Sequence, residues 1–387
     1  MFDIDQALIT LVSRSGSDLH LKVGSVALAR IGGALGPLVE NDAYQLTAED
    51  VDGAMRKTLH NTLRLEEFAA EQEVDYSYEI EEVARFRINA FRQRNAISMV
   101  YRMIPHEIPS IDDLALSPVL RDIADEERGM ILLTGATGSG KSTTLAAMVD
   151  HINTTRSCHI VTIEDPIEFI HQDKRSVVNQ REVGSDTKDF ARALRRVFRQ
   201  DPDVILIGEL RDEETARTAL SAAETGHLVL STVHTADAGE SINRLLDFFP
   251  PHQHPHMRAV MGGALKAIIS QRLVPGVDGG RIAAVEVLRM TSRVRDMISD
   301  PAKTGQLNDV IADGAYYGME TFDQNLFGHV KAGRVSVEDA ITASTSPHDF
   351  KLLLAAGWRR GTSMEDIDEA GENAKNAEEA QRAIRAV

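Results

Sequence analysis

The chain has 387 residues, 43% of them hydrophobic, which is enough for two domains with sizeable cores and too apolar for a disordered protein. A formal net charge of −17 argues against a nucleic-acid track and against direct anchoring on anionic lipid. The start, MFDIDQ, carries acids where a signal peptide needs a basic region, no apolar stretch approaches a membrane span, and the single cysteine, Cys158, allows no intramolecular disulfide. A cytoplasmic protein with no membrane span is expected.

In chain order, residues 46–63 carry helical periodicity, with Thr47 as the cap and Glu49 and Asp50 favourably placed in the first turn. Residues 74–78 and 84–90 alternate like antiparallel strands. Pro105, Pro109 and Pro118 then mark a connector. After Gly129 the pattern changes. Residues 130–134, 159–163, 204–207 and 228–233 are short apolar runs separated by helical stretches, which indicates a mainly parallel sheet covered on both faces. Cys158 is expected as a small buried hydrophobe beside the second of these strands. The expected division is an N-terminal domain over 1–104, a connector over 105–118, an α/β domain over 119–357 and an acidic tail over 358–387, with residues 365–387 partly helical.

Residues 135–142, GATGSGKS, fit the phosphate-loop pattern G-x-x-x-x-G-K-[ST] between a strand and a helix. Gly135, Ala136, Thr137, Gly138, Ser139 and Gly140 would turn successive N–H groups into one concavity, and Thr143 follows in the helix. Lys141 would reach the β- and γ-phosphates of ATP, and Ser142 would offer its hydroxyl to Mg²⁺. The other strands end in Glu164-Asp165, Glu209 and His234, and ligands of open parallel sheets bind outside such ends. A phosphate loop, carboxylates and a histidine are the inventory for Mg²⁺-dependent phosphoryl transfer to water. Glu209 stands at the Walker B position for the metal side, acting through water, and Glu164 is the candidate for water activation. Composition alone does not separate the two roles.

The ordered set GATGSGKST, IVTIEDPIEFIH, DPDVILIGELRD and GHLVLSTVHT resembles the secretion-type ATPases of type IV pili and type II secretion, over residues 17–350 or so. The resemblance implies a PAS-like α+β N-terminal domain, a RecA-like C-terminal domain and a homohexameric ring. It makes Glu164 the catalytic glutamate of an Asp box and Glu209 the Walker B acid. His227 and His234 become a His box near the nucleotide, where hydrogen-bonded structural histidines are the alternative. It implies that arginines of the segment 84–94 reach the nucleotide, with Arg87 as the catalytic member and Arg85 and Arg92 beside it. The alternative is a solvated basic strand face. Arg192, Arg195, Arg196 and Arg199 are spaced to form a stripe on one helix, suited to a protein contact.

Within the family, the single cysteine and the short N-terminal part fit the retraction type, whose expected partner is an inner-membrane pilus platform protein. Residues 293–300, RVRDMISD, depart from the AIRNLIRE-like segment of retraction motors. The rival readings are an extension or type II secretion assembly ATPase, a RecA-like DNA translocase, and a nucleotide-gated scaffold. Direct nucleic-acid binding is not expected, because the net charge and the Asp-box and His-box sequences speak against it.

Overall fold

The computed structural model describes residues 2–41, 43–104 and 107–357; the acidic tail 358–387 and Pro105 of the connector lie outside the described residues. The described chain divides into two compact units. The first comprises residues up to Ile108 together with 163–171 and 180–193, and the second comprises Pro109–Thr162, Gln172–Asn179 and the chain from Leu194 onward.

The first unit is built on a six-stranded sheet of β1 (Gly16–Lys22), β2 (Leu28–Ile31), β3 (Ala34–Pro37), β4 (Glu73–Ile80), β5 (Ala84–Gln93) and β6 (Ala96–Ile104). The spatial order is β3-β2-β1-β6-β5-β4, with antiparallel pairs throughout. Along β5, Ala84, Phe86, Ile88 and Ala90 are buried and Arg85, Arg87 and Asn89 take the other face, as a period of two requires. Helices α1 (Ile4–Ser13), α2 (Ala48–Thr58) and α3 (Thr62–Glu71) belong to the same unit. Leu8, Leu11, Val51 and Phe68 from these helices share one core with Leu19, Phe86, Ile88 and Tyr101.

Thr47 and Asp50 form a reciprocal capping box at α2. The expected single helix over 46–63 is two, because the chain turns extended at Leu59 and Asn61 caps a new helix.

The second unit carries the α/β architecture expected of it. Its sheet is ordered β13-β12-β7-β11-β10-β8-β9, where β7 is Gly129–Thr134, β8 His159–Glu164, β9 Val177–Glu182, β10 Val204–Ile207, β11 Leu228–Val233, β12 Leu265–Pro275 and β13 Arg281–Arg289. Every residue of β7, β10 and β11 is buried, and apart from Thr134, Ser231 and Thr232 near their carboxyl ends these central strands are apolar, as a sheet covered on both faces requires. Strand β12 adds parallel to β7, and β13 returns antiparallel to β12.

The helices that follow are, in order, α4 (Val119–Ala124), α5 (Lys141–Thr155), α6 (Phe190–Val197), α7 (Glu213–Glu224), α8 (Ala238–Asp247), α9 (His254–Ala264), α10 (Ser292–Ser299), α11 (Leu307–Asp313), α12 (Phe322–Lys331), α13 (Val337–Ala343) and α14 (Pro347–Ala356). Leu145, Met148 and Ile152 of α5 pack onto Ile131 and Leu133 of β7 in the main core. A smaller core joins Val274 and Ala284 to Phe322, Leu326 and Phe350 of the last helices.

Two expectations are corrected. Cys158 is half-buried, with its sulfur 3.2 Å from the Ser176 hydroxyl. Helix α6 ends at Val197, so Arg199 lies beyond it, while Arg195 pairs with Glu214. Among the described residues, no helix is long and apolar enough to cross a membrane.

Candidate functional site

Register places the site. Strands β7 and β11 run parallel with Thr134 opposite Val233, so the loop beginning at Gly135 and the side chain of His234 leave the sheet at one edge. Strand β10 pairs with β11 up to Ile207 opposite Ser231, which brings Glu209 to the same edge. The Ser231 and Thr232 hydroxyls donate to the carbonyls of Ile207 and Gly208 (2.7 Å each), and Leu210 N–H donates to Thr232 O (3.0 Å). Those bonds fix the turn that carries Glu209.

The loop conformation depends on its glycines. Gly135 has φ +145°, and a Cβ there would meet the Gln271 carbonyl oxygen at 2.4 Å. Gly140 has φ +86° and serves as N-cap of α5 without a side-chain bond to the first turn. Asp212 and Asp237 cap α7 and α8 with their carboxylates. At α5 the uncapped amides and the positive end of the helix are left for an anion.

Lys141 is buried and donates to the carbonyls of Gly135 (2.8 Å) and Ala136 (3.0 Å). Its ammonium also lies 3.5 Å from Nδ1 of His234, whose Nε2 is 3.4 Å from Oε1 of Glu209. Oε2 of Glu209 accepts from Nε of Arg211 at 2.8 Å. An imidazole protonated on Nε2 alone satisfies both of its contacts, accepting from the lysine and donating to the carboxylate. The four side chains thus form one polar chain across the ends of β7, β11 and β10. A cleft of about 440 Å³ opens beside Glu209, Arg211 and His234 and extends to Glu240 and Arg244. Arg211 joins the site without a role expected from the sequence; its place two residues after Glu209 in GELRD is the signal that marks it.

Strand β8 starts beside β10, with Asp203 N–H donating to His159 O at 2.9 Å, and ends at Glu164. Glu164 belongs by contact to the first unit. There Nε2 of Gln180 donates to its carboxylate (3.2 Å) and to Phe169 O (2.8 Å). The arginines of β5 also make their contacts within the first unit. Arg85 donates to Glu182 (3.0 Å, a fully buried acid), Glu79 (3.2 Å) and Ser77 (2.8 Å). Arg87 stands 3.9 Å from Asp75, and Arg92 lies 5.5 Å over the Phe68 ring.

His227, the other histidine expected on the nucleotide side, lies at the amino end of β11, away from His234. Its carbonyl accepts from Gly129 N–H at the start of β7, and its ring packs edge-on to Phe198 with Nδ1 3.1 Å from Ala222 O. The whole of β11, about 20 Å, separates it from His234. His227 lines a different cavity of about 1250 Å³ at the amino edge, with Asp203 and Lys266.

For Mg²⁺ the donor set is chemically apt: the Ser142 hydroxyl in the first turn of α5 and the Glu209 carboxylate are hard oxygen ligands. Among the described residues, no cluster of three or more His, Cys, Asp or Glu could hold a metal by itself. A magnesium ion held largely by phosphate and water fits that arrangement.

Comparison with known proteins agrees with this geometry. The family model described as "Type II/IV secretion system protein" matches residues 71–341. The type IV pilus retraction ATPase PilT of Pseudomonas aeruginosa is 42% identical over 353 residues, covering 90% of this chain and all of that one. A twitching motility protein of Neisseria gonorrhoeae is 45% identical over 297 residues, covering 76% of this chain and 79% of that protein. The crystal structure of the pilus retraction motor PilT with bound ADP superposes with a TM-score of 0.82 at 41% identity, covering 90% and 99% of the two chains. With a phosphate loop, a strand-end carboxylate and a histidine gathered at one sheet edge, and with similarity of this extent, the chain belongs to the type II/IV secretion system family of ATPases.

Proposed function

We propose that this protein is an Mg²⁺-dependent ATPase that powers retraction of a type IV pilus, working as a homohexameric ring. The ring would lie in the cytoplasm against an inner-membrane platform protein. The observation that carries the reading is the chain Lys141–His234–Glu209 at the mouth of the phosphate loop, in a protein 42% identical to PilT over that protein's full length.

The amides of residues 135–143 and the end of α5 hold the phosphates, and Lys141 exchanges its two carbonyl partners for phosphate oxygens. When bound, Mg²⁺ neutralises phosphate charge, with Ser142 and Glu209 as its protein-side oxygens. Glu164 orients the attacking water and takes its proton as the bond from the γ-phosphorus to the bridging oxygen breaks. His234 touches both Lys141 and Glu209, so a change at either is felt by the residue that leads into α8. Arg87, 41% exposed and 3.9 Å from Asp75, is the β5 arginine assigned to the γ-phosphate.

The alternative is an extension or secretion assembly ATPase of the same family. Residues 292–299 form α10, with Val294, Met297 and Ile298 buried and Arg295 donating to Gly262 O at 2.8 Å, so the segment that departs from the retraction pattern is a packed helix.

Purified protein tests the enzymology. Lys141→Ala should reduce turnover to background. Glu164→Gln should retain Mg-ATP binding while hydrolysing about 100-fold more slowly or worse. Full activity in the first variant, or loss of nucleotide binding with folding intact in the second, contradicts these roles.

A further inference from the structure

Gln271 stands in β12, outside every motif read from the sequence, and its side chain is only 2% exposed. Register explains its position: Ser270 pairs with Thr134, so Gln271 comes level with the first residue of the phosphate loop. Both ends of its carboxamide are used. Nε2 donates to the Ser139 carbonyl at 2.8 Å, and Oε1 accepts from the Thr144 hydroxyl, also at 2.8 Å. Thr144, in the first turn of α5, is itself buried. A Cβ at Gly140 would meet Nε2 at 2.9 Å, so the amide lies directly against the loop.

Peptide geometry gives these bonds a consequence for ligand binding. In a trans peptide the C=O and the following N–H point in opposite directions. Pinning Ser139 C=O toward β12 therefore turns Gly140 N–H away from β12, toward the concavity of the loop. The other side-chain bonds to loop carbonyls, from Lys141 to Gly135 and Ala136, come from the ammonium that must itself meet the phosphates. Gln271 is under no such competition.

We propose that Gln271 is a positioning residue for nucleotide phosphate, aiming the Gly140 N–H by holding the Ser139 carbonyl. The inference rests on the loop being the nucleotide site, and the control below separates the two claims.

The test compares wild-type protein with Gln271→Glu and Gln271→Leu. Glutamate keeps the volume and the acceptor toward Thr144 and loses the donor toward Ser139. Both variants should bind ADP about 10-fold more weakly or worse, because each loses one well-aimed donor to a charged ligand. KM for ATP should rise in parallel, with kcat changed less than about threefold. A residue needed only for folding would lower the unfolding temperature and leave ADP affinity and KM in the folded fraction unchanged. Folded variants with wild-type ADP affinity and KM overturn the proposal. Lys141→Ala is the control. If it loses turnover while the Gln271 variants bind normally, only the positioning role fails. If Lys141→Ala itself hydrolyses ATP at the wild-type rate, the loop reading fails and this proposal with it.

Discussion

Two glycines of the phosphate loop offer a graded test of how the site is held, because they differ in what a methyl group would meet. Gly138 has φ +79° and nothing within 4 Å of the position a Cβ would take. Replacement by alanine therefore costs only the left-handed backbone conformation, about 1–2 kcal/mol. Gly135 has φ +145°, and its Cβ would lie 2.4 Å from a main-chain oxygen of β12 and 2.6 Å from Oγ of Ser139. That oxygen belongs to a buried strand paired on both sides and has little room to give. Overpacking adds about 1–3 kcal/mol to the backbone strain.

At about 2–4 °C per kcal/mol for a domain of this size, Gly138→Ala should lower the unfolding temperature by roughly 2–8 °C. Gly135→Ala should lower it by about twice as much. Thermal unfolding of the two variants without nucleotide measures the difference, and titration with a fluorescent ADP should show the larger loss of affinity in Gly135→Ala as well. Equal shifts, or a larger shift for Gly138→Ala, would refute the argument that contact with β12 sets the loop.

Other outcomes follow from charges inside each unit. Burial pushes the Glu286 carboxyl up to about 7, while Ala238 N–H and the Ser270 hydroxyl donate to it; Asp237 adds repulsion and Arg272 opposes it. The folded state then binds a proton that the unfolded state has released, so stability should fall as pH rises from about 4.5 to 7 and stay low above that. Glu286→Gln should remove this slope and be more stable than wild type at pH 8, as denaturant melts across that range would show; an unchanged slope means Glu286 is not its source. Arg85→Ala leaves the buried Glu182 without its cationic partner and should cost several kcal/mol of stability, measured by thermal melting. Arg87→Ala, whose side chain is 41% exposed, should melt like wild type and bind nucleotide yet lose most hydrolysis; wild-type turnover would reduce it to a surface charge.

Strands β7, β8, β10 and β11 were legible in the sequence because burial on both faces leaves them as short, mostly apolar runs, whereas β9, β12 and β13 were not. In β12, Ser270, Gln271 and Arg272 interrupt the apolar run, and their partners, Glu286, the phosphate loop and Ala343 O, are long-range. The loop and Glu209 were legible from spacing alone. The separation of His227 from His234 was not legible, because two histidines in one short motif suggest one place, whereas a six-residue strand sets them at opposite ends of the sheet. The assignment of residues 163–171 and 180–193 to the first unit was not legible either. It depends on long-range bonds, such as Arg85 and Ser77 to Glu182 and Asn61 to Gly184 O, which no local pattern records.

The central claim is that ATP hydrolysis at this site withdraws pili. The most direct measurement is to delete the gene in its own organism, restore it as wild type or as Lys141→Ala, and count surface pili while following their length over time. The account predicts abundant pili that extend but do not shorten in the deletion and in the Lys141→Ala strain, with shortening restored only by the wild type. Loss of surface pili in the deletion strain would contradict it and assign the motor to assembly.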